Sequence, residues 1–332
     1  MNKILIIQTA FLGDVVLATP VVEKLHRVFP TAEIDFLLRK GNEGILNEHP
    51  FLNKIIVLDK QKNKFKNILK IIKQIRQNNY NLVINLHRFG SSGIITVLSK
   101  AKRTIGFNKN PFSFFYSKSV KHIIGKKASN IHEIDRNLLL TEEYVDNMCF
   151  MPRIYPSVKD YEAVESFKKN SYICLAPFSV WFTKQYPKEK WLDFIRVIPV
   201  YLSVCLIGSD NDSIECEEII AESGKKNIYN QAGKLSLLQT AALMENSLMN
   251  FVNDSAPLHF ASAMNAPVTA VFCSTVPEFG FGPLSEKSHI IQTEEQLDCR
   301  PCGLHGYKSC PENHYECAYS IKSENLLNII TN

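Results

Sequence analysis

The stretch Asn253–Phe272, NDSAPLHFASAMNAPVTAVF, decides the fold. The apolar run before it, Ser247–Val252, reads as a buried strand, and Pro267–Phe272 reads as the next one. Between them Pro257 opens a helix, predicted over Leu258–Met264. Asp254 and Ser255 occupy the strand-to-helix turn, where N-cap residues belong. A helix start offers free backbone N–H groups and partial positive charge, which suits a phosphate or diphosphate. His259, near the first turn, is placed to point the same way. Alone, the turn reads equally well as a capped helix with a surface histidine.

The same alternation extends upstream. Tyr172–Ala176, Val204–Gly208, Asn227–Tyr229 and Leu248–Val252 are predicted strands, with helices at Lys188–Ile198, Asp212–Ser223 and Leu235–Glu245. The N-terminal half repeats it. Strands are predicted at Lys3–Gln8, Glu33–Leu38, Lys54–Leu58, Asn81–Leu86 and Arg103–Phe107. Helices are predicted at Gly13–Phe29, Lys66–Gln77, Ser91–Lys100 and Ser129–Tyr144. Such βα alternation implies α/β units with parallel, doubly wound sheets. Met151–Val158, MPRIYPSV, carries two prolines and little periodicity, and is read as linker. The expected division is a domain over 1–150, a linker over 151–171 and a second domain over 172–332 that ends in a Cys-rich tail and a helix.

A chain of 332 residues allows about two domains. Its 45% hydrophobic and 21% charged residues describe an ordinary globular protein. Met1–Asn2–Lys3 runs directly into a strand without a cleavage pattern, and no apolar run reaches the roughly 18–20 residues of a spanning helix. With nine cysteines, an odd number, the cytoplasm and reduced thiols are expected. The net charge of +5 is unevenly spread. Residues 1–150 carry 23 Lys and Arg against 12 Asp and Glu, and the remainder 15 against 21. A basic half and an acidic half point to different ligands. No nucleic acid is expected as a partner. Lys60–Lys73 reads as solvated lysine.

The first loop argues against a dehydrogenase. A dinucleotide fold calls for G-x-G-x-x-G after its first strand, whereas Gln8–Asp14 (QTAFLGD) holds a single glycine. A carboxylate, Asp14, opens the helix there, and on spacing alone it reads as a cap.

A second pattern widens the reading. NQAGKLSLLQTAA, over Asn230–Ala242, followed by NDSxPLHxAxAxxxPVxAxF, resembles glycosyltransferase family 9, the ADP-heptose:lipopolysaccharide heptosyltransferases. IIQTAFLGDVVLATPVVEKL looks like the N-terminal motif of that family, whose Gly-Asp supplies the catalytic base; carried over, the base is Asp14. The resemblance implies a GT-B fold, two Rossmann-like domains flanking a cleft, and inverting transfer of heptose from ADP-heptose to the lipopolysaccharide inner core. Inversion needs a base for the acceptor hydroxyl and positive charge for the leaving diphosphate.

APFSVWFTKQYP, over Ala176–Pro187, resembles the family's donor loop and offers Ser179, Thr183 and Lys184 to the diphosphate. Phe178 replaces a common glycine, and Tyr186 the usual Trp. In IGSDND, Asp212 matches the residue that engages the ribose, with Asp210 its rival and N-capping an equal alternative. Gly233 in QAGK allows close backbone approach near the base. Asp254, Ser255 and His259 complete the donor set, although Ala256 stands where the family has Gly. The acceptor, an acidic glycolipid, is expected to meet Arg88, His132 and Arg136. Pro111–Tyr116, PFSFFY, reads as a buried strand or, alternatively, as a contact with the inner face of the cytoplasmic membrane.

The tail reads C-x₂-C-x₇-C-x₆-C. Cys299, Cys302, Cys310 and Cys317 are candidate ligands for a structural zinc, against reduced structural thiols. Transfer itself is expected to need no cofactor. The alternatives are a nucleotide-sugar epimerase of the same fold, a transferase using another donor, or a non-catalytic binding module. An epimerase needs further acid/base carboxylates around the sugar, and no clear set is visible.

Overall fold

The structure is a computed structural model that describes residues 1–124, 131–144, 148 and 150–331. It divides into two compact units, with the break between Tyr155 and Pro156. The expected linker therefore does not stand apart. Its later part forms a helix, Val158–Val164, started by a reciprocal cap between Ser157 and Asp160.

The first unit holds β1 (Lys3–Ile7), α1 (Leu12–Val16), α2 (Thr19–Val28), β2 (Glu33–Arg39), β3 (Lys54–Leu58), α3 (Lys64–Asn78) and β4 (Leu82–Asn85). It continues with α4 (Gly90–Leu98), β5 (Arg103–Phe107), β6 (Lys118–Val120) and α5 (Glu133–Leu139). The sheet order is β3-β2-β1-β4-β5-β6, and all pairs are parallel. Helices on both faces explain why β1 and β4 read as unbroken apolar runs. Their side chains join a core with Ile68, Ile71, Ile72 and Ile75 of α3.

The second unit begins with α6 (Val158–Val164), followed by β7 (Tyr172–Ala176), α7 (Lys188–Val197), β8 (Ser203–Leu206), α8 (Ser213–Ser223) and β9 (Ile228–Asn230). Then come α9 (Leu237–Glu245), β10 (Asn250–Asn253), α10 (Ala256–Ala263), β11 (Val268–Phe272), β12 (Ser288–Gln292), α11 (Glu316–Tyr319) and α12 (Glu324–Thr331). Its parallel sheet runs β12-β11-β10-β7-β8-β9. Trp191, Phe194 and Phe251 fill its core, which the tail residues Tyr315, Cys317 and Ile321 also enter.

In each unit the first and fourth strands are neighbours, β1 beside β4 and β7 beside β10. Successive connections leave such a pair in opposite directions. A crevice is thereby opened at the carboxyl ends of the two strands, where open α/β sheets bind ligands.

Several predicted elements differ. The helix expected over Gly13–Phe29 is broken into α1 and α2, because Pro20 has no N–H to continue the ladder. The helix expected over Ser129–Tyr144 covers Glu133–Leu139; residues 129 and 130 lie outside the described residues, as does Cys149. PFSFFY is not a buried strand. Its centre is a short 3₁₀ turn, Ser113–Phe115, with Phe114 75% and Phe115 59% exposed. Among the described residues no helix is long and apolar enough to cross a membrane.

Candidate active site

Lys184 and Asp254 meet at the second unit's crevice. The first follows β7 and the second follows β10. Lys184 Nζ lies 2.6 Å from Asp254 Oδ2, and the two side chains are only 14% and 8% exposed. Thr275, just beyond β11, donates its hydroxyl to the same oxygen at 2.6 Å. Asp254 is therefore not a helix cap. Ser255 is the N-cap residue of α10, but it makes no side-chain capping bond. The first turn of α10 thus carries no side-chain cap beside a lysine with three donor hydrogens. That is an anion-binding arrangement.

Asn253, overlooked in the sequence, holds this geometry. It is fully buried, accepts from Tyr186 N–H at 2.8 Å, and donates to the Ala176 and Pro177 carbonyls at 3.3 and 2.8 Å. The loop bearing Lys184 is so tied to the end of β10. A polar residue closing a strand gives no sequence signal of its long-range partners.

Thr183 has another task than the expected phosphate contact. Its hydroxyl accepts from Tyr307 N–H at 2.7 Å and from Ser274 Oγ at 3.0 Å, and donates to the Tyr307 carbonyl at 3.3 Å. It fastens the Cys-rich tail to the loop after β7. Ser179 is half-buried in that loop, its carbonyl accepting from Gln185 at 2.7 Å. His259 is 5% exposed, so it lies inside the unit rather than on its surface.

Asp212 and Gly233 lie just beyond the ends of β8 and β9, where Gly233 N–H donates to the Gly208 carbonyl at 3.1 Å. Asp212 Oδ2 accepts from the N–H and hydroxyl of Ser209, both at 2.7 Å. Asp212 is the N-cap residue of α8 but makes no side-chain capping bond to that helix; its carboxylate closes a reciprocal cap with Ser209 on the 3₁₀ turn Asp210–Asp212. Gly233 has φ +72°, and a Cβ there would stand 2.6 Å from Asp210 Cα, so no other residue fits without displacing backbone.

Cys299, Cys302, Cys310 and Cys317 are free thiols lining one cavity of about 230 Å³, with His314 beside them. Cys299 Sγ is 3.8 Å from His314 Nε2. Among the described residues, however, no three His, Cys, Asp or Glu side chains converge closely enough to hold a metal ion. The four expected zinc ligands line the same cavity, and Cys302 and Cys317 are its buried members. Burial pushes the Cys317 thiol up to about 12.

In the first unit Asp14 lies in the opening turn of α1, next to the end of β1, and is half-buried. Its Oδ2 accepts from Phe11 N–H at 3.2 Å. Lys60 Nζ donates to the Thr9 carbonyl at 2.6 Å, and Asn42 donates to the Ala10 carbonyl at 3.1 Å. These bonds fix the loop that presents Asp14. Lys60 is therefore not the solvated lysine expected; burial, with Arg39 and Lys64 nearby, pushes its ammonium down to about 8. Across the crevice His87 Nδ1 lies 3.1 Å from the Thr9 hydroxyl and 3.2 Å from that of Ser92. Burial, with Lys60 and Arg88 adding to it, pushes the imidazole down to about 3, so it is neutral at pH 7.

Arg88 follows β4 at this crevice and is half-buried. The other two expected acceptor residues have structural tasks. Arg136 is 2% exposed, and donates to Glu133 at 2.8 Å and to the Ile131 carbonyl at 2.7 Å. His132 is the N-cap of α5, its Nδ1 accepting from Ile134 N–H at 3.3 Å. Helical spacing put these two on one face, but His132 precedes the helix as its cap and Arg136 turns inward.

Two doubly wound parallel units, with a carboxylate at one crevice and a lysine beside an uncapped helix start at the other, have the architecture of the GT-B glycosyltransferase class. Residues 68–309 match the family model described as glycosyltransferase family 9 (heptosyltransferase), and the chain belongs to that family. It is 28% identical to lipopolysaccharide heptosyltransferase 3 of Escherichia coli, over 80% of this chain and 82% of that one. Among solved structures it is similar to a family 9 glycosyl transferase from Veillonella parvula (TM-score 0.87, 20% identity, 99% of this chain and 96% of that one). It is also similar to the E. coli ADP-heptose lipopolysaccharide heptosyltransferase II (TM-score 0.80, 20% identity, 99% and 97%).

Proposed function

We propose that this glycosyltransferase moves a heptose from ADP-heptose to the inner core of lipopolysaccharide, with inversion. The observation that carries the reading is the Lys184–Asp254 pair beside the uncapped start of α10. The pair occupies one of three ammonium donors, which leaves two for a phosphate oxygen. Asp254 fixes the ammonium, and the helix N–H groups add partial positive charge.

The chemistry is a single displacement. The acceptor hydroxyl gives its proton to the Asp14 carboxylate as its oxygen bonds to the anomeric carbon. The bond from that carbon to the diphosphate oxygen breaks, and the electron pair leaves with ADP. Lys184 and the α10 N–H groups stabilise the charge as it grows. No metal is needed in this reading, since Lys184 supplies the cation. In this reading the nucleoside of the donor is taken up by Asp212 and Gly233. Arg88 and the basic character of the first unit suit an acidic glycolipid, met at the inner face of the cytoplasmic membrane.

The test is a thermal-shift comparison of ADP, UDP and GDP, followed by transfer from ADP-heptose to a heptose-deficient core acceptor. A nucleotide present at a hundred times its Kd stabilises by about 2.7 kcal/mol. ADP should raise Tm and the others should not. A larger shift with UDP or GDP would overturn the donor assignment.

A further inference from the structure

Among the described residues of the first unit, the exposed phenylalanines are Phe11, Phe65, Phe89, Phe114 and Phe115. Their placement is not scattered. Phe11 follows β1, Phe65 lies in the first turn of α3 just after β3, Phe89 follows β4, and Phe114 and Phe115 follow β5. These strands run parallel in one sheet, so all five lie in segments leaving the same edge, the carboxyl end. The last two are tied there. Ser113 donates to the Asn108 carbonyl at 3.0 Å, and Asn110 donates to the His87 and Phe89 carbonyls at 3.0 and 3.1 Å. Phe114 and Phe115 pack on one another with tilted rings, centroids 4.0 Å apart, while facing solvent.

Lysines flank these rings along the chain. Lys62, Lys64 and Lys66 flank Phe65 and are exposed, and Lys109 and Lys121 flank the second tip and are exposed. One turn along α3 from Phe65, Leu69 is 66% exposed, while Ile68, Ile71, Ile72 and Ile75 take the buried face. The helix is thus apolar on both sides near its start. Packing needs one side only. Exposed phenyl rings set among lysines match a bilayer with anionic headgroups: the rings enter the interface and the ammonium groups meet phosphates.

We infer that the carboxyl-end rim of the first unit, with Phe65 and the Phe114–Phe115 pair as its two tips, docks on an anionic lipid bilayer. Asp14 and Arg88 lie at the same end of the sheet. A lipid-anchored acceptor would then reach the base without leaving the membrane. That last consequence rests on the proposed function; the docking surface does not.

The test uses the full chain and sedimentation with vesicles of phosphatidylcholine, alone or mixed with phosphatidylglycerol. Wild type should bind the anionic vesicles, and lose binding as salt rises from about 0.05 to about 0.5 M. Phe65→Ser/Phe114→Ser/Phe115→Ser should lower binding at least about tenfold, with Tm unchanged because the rings are exposed. Lys62→Glu/Lys66→Glu should lower binding to the anionic vesicles only. Equal binding by wild type and the triple variant would overturn the inference, as would no binding by wild type. Self-association of wild type that the triple variant abolishes, without vesicle binding, would assign the patch to a second copy instead. Transfer to a delipidated, soluble acceptor should survive in the triple variant. Vesicle binding in a protein that transfers nothing would sink the proposed function and leave the surface standing.

Discussion

Lys184 Nζ sits 2.6 Å from Asp254 Oδ2, beyond the ends of two neighbouring strands, although the two residues are 70 positions apart in the chain. The pair is largely buried, so each member depends on the other. Removing one leaves a charge with little water around it. Lys184→Ala should therefore have two effects. Loss of a charge-assisted contact to the diphosphate, worth roughly 1.5–3 kcal/mol, should lower the efficiency of donor use by about 10–150-fold. The stranded carboxylate should also lower Tm. Adding Asp254→Asn should restore part of the Tm and none of the activity. Unchanged donor kinetics in Lys184→Ala would remove it from the site.

Asp14→Asn keeps an oxygen to accept from Phe11 N–H, so the start of α1 stays capped. It cannot take a proton. Tm and ADP affinity should stay near wild type, while turnover falls about 10²–10⁴-fold. Wild-type turnover on the same preparation would place the base elsewhere.

Asn253→Ala removes three buried hydrogen bonds and leaves a peptide N–H and two carbonyls without that partner. Stability should fall by about 2–4 kcal/mol, measured by urea unfolding. Donor KM should rise with it, because the loop bearing Lys184 loses its tie. A loss of stability with unchanged KM would show that the loop holds its shape without Asn253.

His87 and His49 are both buried, and burial pushes their imidazoles down to about 3 and about 4. An unfolded histidine takes up its proton near pH 6.5, and these do not until far lower. Below about pH 6.5 the unfolded chain therefore binds more protons, and stability falls as pH falls toward 4. Each group adds up to about 1.4 kcal/mol per pH unit in that window. His87→Gln should flatten the decline of Tm between pH 6.5 and 4. An unchanged slope would mean that His87 is protonated in the folded protein.

Cys299 and Cys310 are partly exposed, whereas Cys174, Cys205, Cys216 and Cys273 are buried. A thiol reagent should modify the first two in the native protein and the other four only on unfolding. Transfer should survive chelation whether or not the tail holds zinc. About one zinc per chain, with Cys299 and Cys310 protected from the reagent, would mean that the tail closes around metal.

The sequence alone determined the two sheets. Runs such as KILII and VTAVF, buried on both faces and alternating with helical segments, leave the chain little choice but parallel strands. The positions of Asp14, Lys184 and Asp254 beside strand ends were legible for the same reason. Local pattern places a residue on an element, and topology then puts strand ends in a crevice. It was the tertiary structure that decided what each side chain does there. Lys184 pairs with Asp254, Thr183 turns to the tail, and Arg136 faces inward to Glu133. Thr9 and His87, 78 positions apart, meet across the first crevice. Lys60 stands in a lysine-rich run whose other members are solvated, yet it alone reaches the Thr9 carbonyl. These outcomes depend on which long-range partner lies within hydrogen-bond distance. Periodicity and spacing carry no information about that distance, since it is set only when the strands pair and the helices pack.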